Sequence, residues 1–410
     1  MRPLYTLVML VALSSGGYMA ARFAVLLFAA QIPLSAALVG LLAAMFAVVS
    51  AFASVHTGRL IDRRGSKLPL LWSTGILAVV VALGAVWRGL PMLFAIAVIT
   101  GLAHNTMVLA FQRLAGELGP ANERAAAFGL LGLGFSFANL GAPVAAGFAI
   151  EYAGFTATFV IFALVPVLSF LIVWTDRLPW PPVHAAPAGI DAKTGVTLQA
   201  RTGTLGLLRS PRLSRLYFSC GLFEAAWMGF GFMLPIHGTQ LGLGASDIGM
   251  IAGAAAVLLV LSRLFMPRVL RRFAPWQLLI AGMLFIGIGF VGFAQVTTFA
   301  WLAAFGAVVG LGQGLAGPML NALIYEHAPA HEAGEAMGLR TLINNVSQGG
   351  LPLIAGALGA ALGLAPVFWA LAIGMFGTAW SSRAHWIAAE RAYHERRRER
   401  QRAREHTPPP

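Results

Sequence analysis

Charge is what this sequence has least of. Asp, Glu, Lys and Arg make up 10% of its 410 residues, and only 15 of them are acidic; a soluble domain carries about 25% charged residues. Most of the chain therefore cannot face water. Cysteine is nearly absent: the single Cys220 lies in an apolar run. That excludes an internal disulfide framework and a cysteine-rich metal cluster, and it reads as a small buried hydrophobe. No G-x-x-x-x-G-K-[ST] segment occurs, which argues against direct ATP drive. The apolar runs hold no cluster of acids, bases or metal ligands at one depth. An enzyme is not expected, and neither a cofactor nor a metal. A membrane sensor would need a sizeable soluble output domain, which a 39-residue connector and a short tail do not supply.

What is present is hydrophobic residue in long blocks: 58% of the chain. Uncharged runs of about 20 residues can cross a bilayer as helices, and lipid excludes open sheet edges. The runs fall near 5–29, 36–57, 68–87, 91–112, 125–150, 154–175, 215–237, 246–267, 276–296, 299–325, 336–361 and 365–386. The expectation is an all-α integral membrane protein of twelve transmembrane helices. The first run begins like a signal peptide but outlasts a usual h-region, so it reads as an uncleaved first span. Residues 176–214 form the one long connector, rich in Pro, Gly and polar residues. They predict a linker between two six-helix bundles at 1–175 and 215–386, with a basic tail at 387–410.

An internal repeat tests that division. Sliding the chain by the 209 residues that separate Gly40 from Gly249 aligns the halves without a gap. Arg59 meets Arg268, Gly101 meets Gly310, Pro143 meets Pro352 and Gly147 meets Gly356. Glu117, Pro120 and Glu123 meet Glu326, Pro329 and Glu332, a run that chance alignment of Gly and Ala does not produce. Two pseudo-symmetric bundles follow as an expectation.

Net charge is +13. With the amino terminus inside, 26 of the 28 basic residues fall in cytoplasmic loops or tails, leaving Arg22 and Arg88. This is the positive-inside pattern. The cations are divided among loop ends rather than gathered on one folded surface, which excludes a nucleic-acid partner. The expected setting is a bacterial inner membrane, with both termini cytoplasmic and the chain a monomer in the bilayer.

The stretch from Gly58 to Lys67, GRLIDRRGSK, sets four cations and one acid between two uncharged runs. Gly58 and Gly65 allow a tight turn. Asp62 can accept from a helix N-terminus or pair with an arginine, with Arg113 and the region of Arg340 as candidates. A solvated loop that only fixes orientation is the plainer alternative. The stretch closely resembles the motif G-x-L-x-D-R-x-G-R-K that follows the second helix in the major facilitator superfamily, with Ser66 in place of a basic residue. Ser262 to Trp276, SRLFMPRVLRRFAPW, is a degenerate second copy. The resemblance implies twelve helices, a cavity lined by the first, fourth, seventh and tenth, and alternating access. It also implies a gate at Gly58, Asp62, Arg63, Gly65, Lys67 and Arg113, closed through Asp62. The fifth run, GLGFSFANLGAPVAAG, loosely resembles the family's antiporter motif. Close helix packing by small residues and a proline bend account for it equally well.

Polar groups inside spans are costly and hence functional candidates. Glu224 is the carboxylate placed well inside an apolar run, and Arg22 the cation away from the basic ends. Burial disfavours the charged form of a carboxyl group, so Glu224 is the candidate for proton coupling. A structural hydrogen bond is its alternative role. Arg22 can hold an anion through its guanidinium fork; snorkelling is the alternative. His104 and Asn105, Gln313, and Asn345 with Gln348 form a neutral second tier, either substrate contacts or interhelical glue. Asn345 and Gln348 share a helix face, as do Arg340 and Asn344. Trp227 stands near Glu224 and can stack on a ring or simply pack. The resulting expectation is a proton-coupled secondary transporter, symporter or antiporter, for a small organic solute such as an organic anion. Export of amphipathic drugs against protons is the alternative.

Overall fold

In a computed structural model the structure describes residues 2–117, 124–175, 180, 207–328 and 333–383. Among these residues the only regular structure is helical. The helices are α1 (Arg2–Gln31), α2 (Ala36–Arg64), α3 (Lys67–Val86) and α4 (Leu90–Glu117). The next element, Arg124–Trp174, breaks at Gly154, where φ is +77°, into α5 (124–153) and α6 (155–174). Then follow α7 (Pro211–Gln240), α8 (Ala245–Val269), α9 (Pro275–Phe293), α10 (Phe299–His327) and α11 (Ala333–Leu362), with α12 (Leu364–Arg383) last.

Ten helical stretches are long and apolar enough to cross a membrane. One of them, Leu131–Trp174, runs 44 residues, twice the ~20 that a single crossing needs. The α11 helix is not among the ten: its first sixteen residues carry Glu335, Arg340, Asn344, Asn345 and Gln348.

Helix ends differ from the sequence expectation where nothing in the chain stops the helix. GRLIDRRGSK is not a loop. Residues 58–64 are the last turns of α2, and the reversal is confined to Gly65 and Ser66. Gly58 therefore makes no turn; Gly65, with φ +74°, makes it, a conformation that costs glycine nothing. Residues 151–153, expected to connect the fifth and sixth runs, likewise continue α5 up to the break at Gly154. Glu117 and Glu326 end up in the last turns of α4 and α10; the Pro and second Glu of each Glu-Pro-Glu run, most of the 176–214 linker and the basic tail lie outside the described residues.

Within the first half α1 packs on α5 and α6, and α4 on α2 and α3; within the second, α10 packs on α8 and α9, and α11 on α7. Two seams join the halves, α2 with α11 and α5 with α8. Both depend on glycine. A Cβ on Gly40 would stand 2.9 Å from the Gly356 Cα and collide with the Pro352 carbonyl. A Cβ on Gly249 would stand 3.3 Å from the Gly147 Cα and 2.6 Å from the Pro143 carbonyl oxygen. The repeat offset carries Gly40 onto Gly249 and Pro143 and Gly147 onto Pro352 and Gly356, so it turns one seam into the other. Pro143 and Gly147 of the antiporter-like stretch thus pack on α8, while Asn139 lines the central cavity. One contact has no counterpart: Glu151 accepts hydrogen bonds from the Ser246 backbone N–H (2.8 Å) and hydroxyl (2.6 Å) at the start of α8. The repeat-related positions are Ala360 and Ala37.

Candidate functional site

Between the seams lies a cavity of about 490 Å³ whose wall includes Arg22, His104, Asn105, Glu224, Trp227, Gln313, Asn345 and Gln348. All eight in-span candidates from the sequence therefore face one space. They arrive from α1, α4, α7, α10 and α11.

Glu224 is fixed from α11. Asn344 donates to its Oε1 at 2.9 Å, and the Arg340 guanidinium lies 3.8 Å from the same oxygen. Cys220, one turn earlier on α7, donates its thiol to the Asn344 Oδ1 at 3.1 Å. Arg340 and Asn344, four residues apart, converge on one carboxylate as their shared face requires. The carboxylate keeps 14% of its side-chain surface exposed, so it is both paired and reachable from the cavity.

Arg22 has a different environment. Its guanidinium donates to the Met228 sulfur at 3.5 Å, lies 5.6 Å from the Phe46 ring centre and hydrogen-bonds Tyr18. These partners are all neutral. His104 stacks on Tyr18 with ring centres 3.9 Å apart, and its Nδ1 is buried without a partner. Gln313 is 2% exposed and donates to the Phe223 carbonyl at 3.3 Å, which favours interhelical glue for this residue. Asn105 reaches the Ser50 carbonyl at 3.5 Å, and Trp227 stacks on Phe230 at 6.2 Å.

Arg263 corrects the sequence assignment. It was counted with the cytoplasmic loop, yet α8 runs on to Val269 and Arg263 lines the cavity. Its position six residues before the helix end places it about 9 Å inside at 1.5 Å per residue. The available signal was its i, i+4 spacing from Leu259, which lines the same wall. Tyr18 and Met228 also line it and carry no polarity pattern that singles them out.

A second compartment of about 100 Å³ adjoins the first. Met19, Arg22, Asn139, Trp227 and Met228 belong to both; Phe23, Leu26, Phe230 and Leu234 belong to the smaller one alone.

At the motif after α2, Arg113 donates from α4 to the Ile61 carbonyl, securing the last turn of α2. Lys67 opens α3. The side chains of Asp62 and Arg63 lie outside the described residues. The start of α11 near Arg340 was the other candidate partner for Asp62; Arg340 itself faces Glu224.

The sequence matches the Major Facilitator Superfamily over residues 7–349 and again over 278–409. It is 25% identical over 331 residues to the multidrug resistance protein MdtG of Dickeya zeae, covering 78% of this chain and 77% of that protein. A second MdtG, from Escherichia coli, is 25% identical over 329 residues, again with 78% and 77% covered. Among solved structures, a POT family transporter in complex with 5-aminolevulinic acid superposes with a TM-score of 0.76 at 14% identity, over 94% of this chain and 96% of that one. At that identity the likeness is one of fold. The chain belongs to the major facilitator superfamily.

Proposed function

We propose that this protein is a proton-coupled secondary transporter that carries a small organic anion across the bacterial inner membrane. Twelve transmembrane helices form two six-helix bundles, 1–175 and 215–386. The 176–214 loop, the 387–410 tail and both termini lie in the cytoplasm. The chain works as a monomer, the bundles rocking about the central cavity. The glycine seams lie in the half of α2 and α8 away from the arginine-rich loops, so the described form is the inward-facing one. By the family resemblance, the region of Gly58, Asp62, Gly65, Lys67 and Arg113 gates the cytoplasmic side.

The observation that carries this reading is the charge arrangement around Glu224. Arg340 from α11 takes up its charge, and Arg263 from α8 also faces the cavity; on α7 the neighbouring titratable group is Cys220. Among the described residues, neither Arg22 nor Arg263 has a carboxylate within salt-bridge distance. The wall is therefore cationic, and protonation of Glu224 releases Arg340 and makes it more so. Proton and anion then favour each other's binding, and the effect is reciprocal. That sign of coupling is symport.

A second reading, drug/proton antiport, has support from the MdtG relatives and from the apolar second compartment. The two readings differ in sign. In proteoliposomes with an imposed proton gradient, the first predicts accumulation of organic anions on the side toward which protons flow. It also predicts anion affinity rising on the order of ten-fold as Glu224 becomes protonated. Glu224→Gln should abolish both the accumulation and the pH dependence while leaving downhill exchange. Retention of gradient-driven accumulation by the variant would remove Glu224 from the coupling step.

A further inference from the structure

Arg22 stands where two unlike spaces meet. On one side is the polar cavity with Glu224, Arg263 and Gln348. On the other is the small compartment walled by Phe23, Leu26, Phe230 and Leu234. Its guanidinium is a planar fork suited to two-point contact with a carboxylate. Among the described residues, what the protein offers it is a thioether, an aromatic face and a phenol hydroxyl. A cation held inside a membrane protein with only neutral partners is costly, and a ligand carboxylate relieves that cost. Arg263 is less suited to be the anchor, because it is exposed and touches only the larger space.

The second compartment constrains the rest of the ligand. Apolar cavities of about 150 Å³ accept a benzene ring and stay dry without one. This one, at about 100 Å³, takes a short alkyl group or the leading edge of a ring, with Met19 and Met228 at its rim able to adjust. Gly231 also lines it, and a Cβ there would meet nothing within 4 Å. The compartment is therefore open space rather than a gap awaiting a neighbouring side chain.

We infer that the substrate is an amphipathic organic monoanion, its carboxylate or equivalent on Arg22 and its apolar end in the compartment beyond. This rests on the central cavity being the transport site. It joins the two functional readings: the charged head fits the cationic wall, and the apolar end belongs to the kind of molecule an exporter of amphipathic compounds carries.

Four probes separate head from tail: acetate, butyrate, 4-phenylbutyrate and the neutral 4-phenylbutyramide. Binding is measured by titration calorimetry on the purified full-length chain in detergent, with monodispersity checked for every variant. The unaltered protein should bind 4-phenylbutyrate at least about ten-fold tighter than the amide or acetate, with butyrate between. Arg22→Gln should bind acid and amide alike. Gly231→Leu fills the compartment and should bring 4-phenylbutyrate down to the affinity of acetate. Equal affinity for acid and amide in the unaltered protein would overturn the assignment of Arg22. An undiminished tail preference in Gly231→Leu would overturn the assignment of the compartment. Neither result depends on transport. If the binding pattern holds but no proton-driven flux is seen, the transport reading fails and the site stands. If a proton gradient drives accumulation of gluconate, an anion with no apolar end, while 4-phenylbutyrate does not bind, the site fails and the transport reading stands.

Discussion

At the scale of single residues, one cavity wall contains groups with opposite duties, and their neighbours tell them apart. Gln313 is nearly sealed and spends its amide on the Phe223 carbonyl. Removing it leaves a buried acceptor unmet, so Gln313→Ala should cost about 1–3 kcal/mol of stability. Thermal unfolding in detergent would register that loss, while 4-phenylbutyrate affinity should hold. Glu224 and Arg22 were legible in the sequence because an isolated charge in an apolar run stands out whatever the fold. Arg263 was not: it lies five residues before Arg268, and a linear reading gathers it into the basic loop. Tyr18 and Met228 escaped because an aromatic or a methionine in a membrane helix looks the same whether it packs or faces a ligand. The Arg340–Asn344 pairing was visible as a helix face, but its target on another helix was not.

At the scale of elements, the two seams turn on glycines that permit backbone contact. The repeat showed that these glycines correspond, and the structure shows why they are small. A side chain at Gly249 must displace the Pro143 carbonyl 2.6 Å from its Cβ position. Overpacking of that kind costs about 1–3 kcal/mol, and only in the form whose seam is closed. Gly249→Val should thus shift the population toward an outward-open state. With Cys220 replaced by serine and an Ala252→Cys probe in the small compartment, labelling by an impermeant maleimide from outside should rise. Unchanged labelling would mean that the seam is not the outer gate. The GRLIDRRGSK stretch shows the opposite limit of sequence reading. Its identity as a motif was plain, yet its polarity suggested a loop. Helical hydrogen bonding carries seven of its ten residues past the apolar run, because polar side chains do not by themselves end a helix.

At the scale of the whole molecule, the class of fold was the most legible feature of all, since scarce charge and repeated apolar runs leave few alternatives. The direction in which the cavity opens was not legible, because a parallel internal repeat is indifferent to which end of its two-fold axis is shut. Threading is testable at the break after α5. Tyr152 is 79% exposed beside Gly154, and Tyr152→Cys in the cysteine-free background should react with impermeant reagents only from outside the cell. Reaction only from within would reverse the orientation and every assignment of sidedness with it.

The Glu151–Ser246 contact gives this plan a handedness that the repeat lacks. One seam is riveted by a carboxylate, while the matching positions of the other are two alanines. Two leaves fastened so unequally need not swing apart together. The bare edge can yield first and the riveted one serve as its hinge, making the opening lopsided in a molecule whose halves descend from one plan.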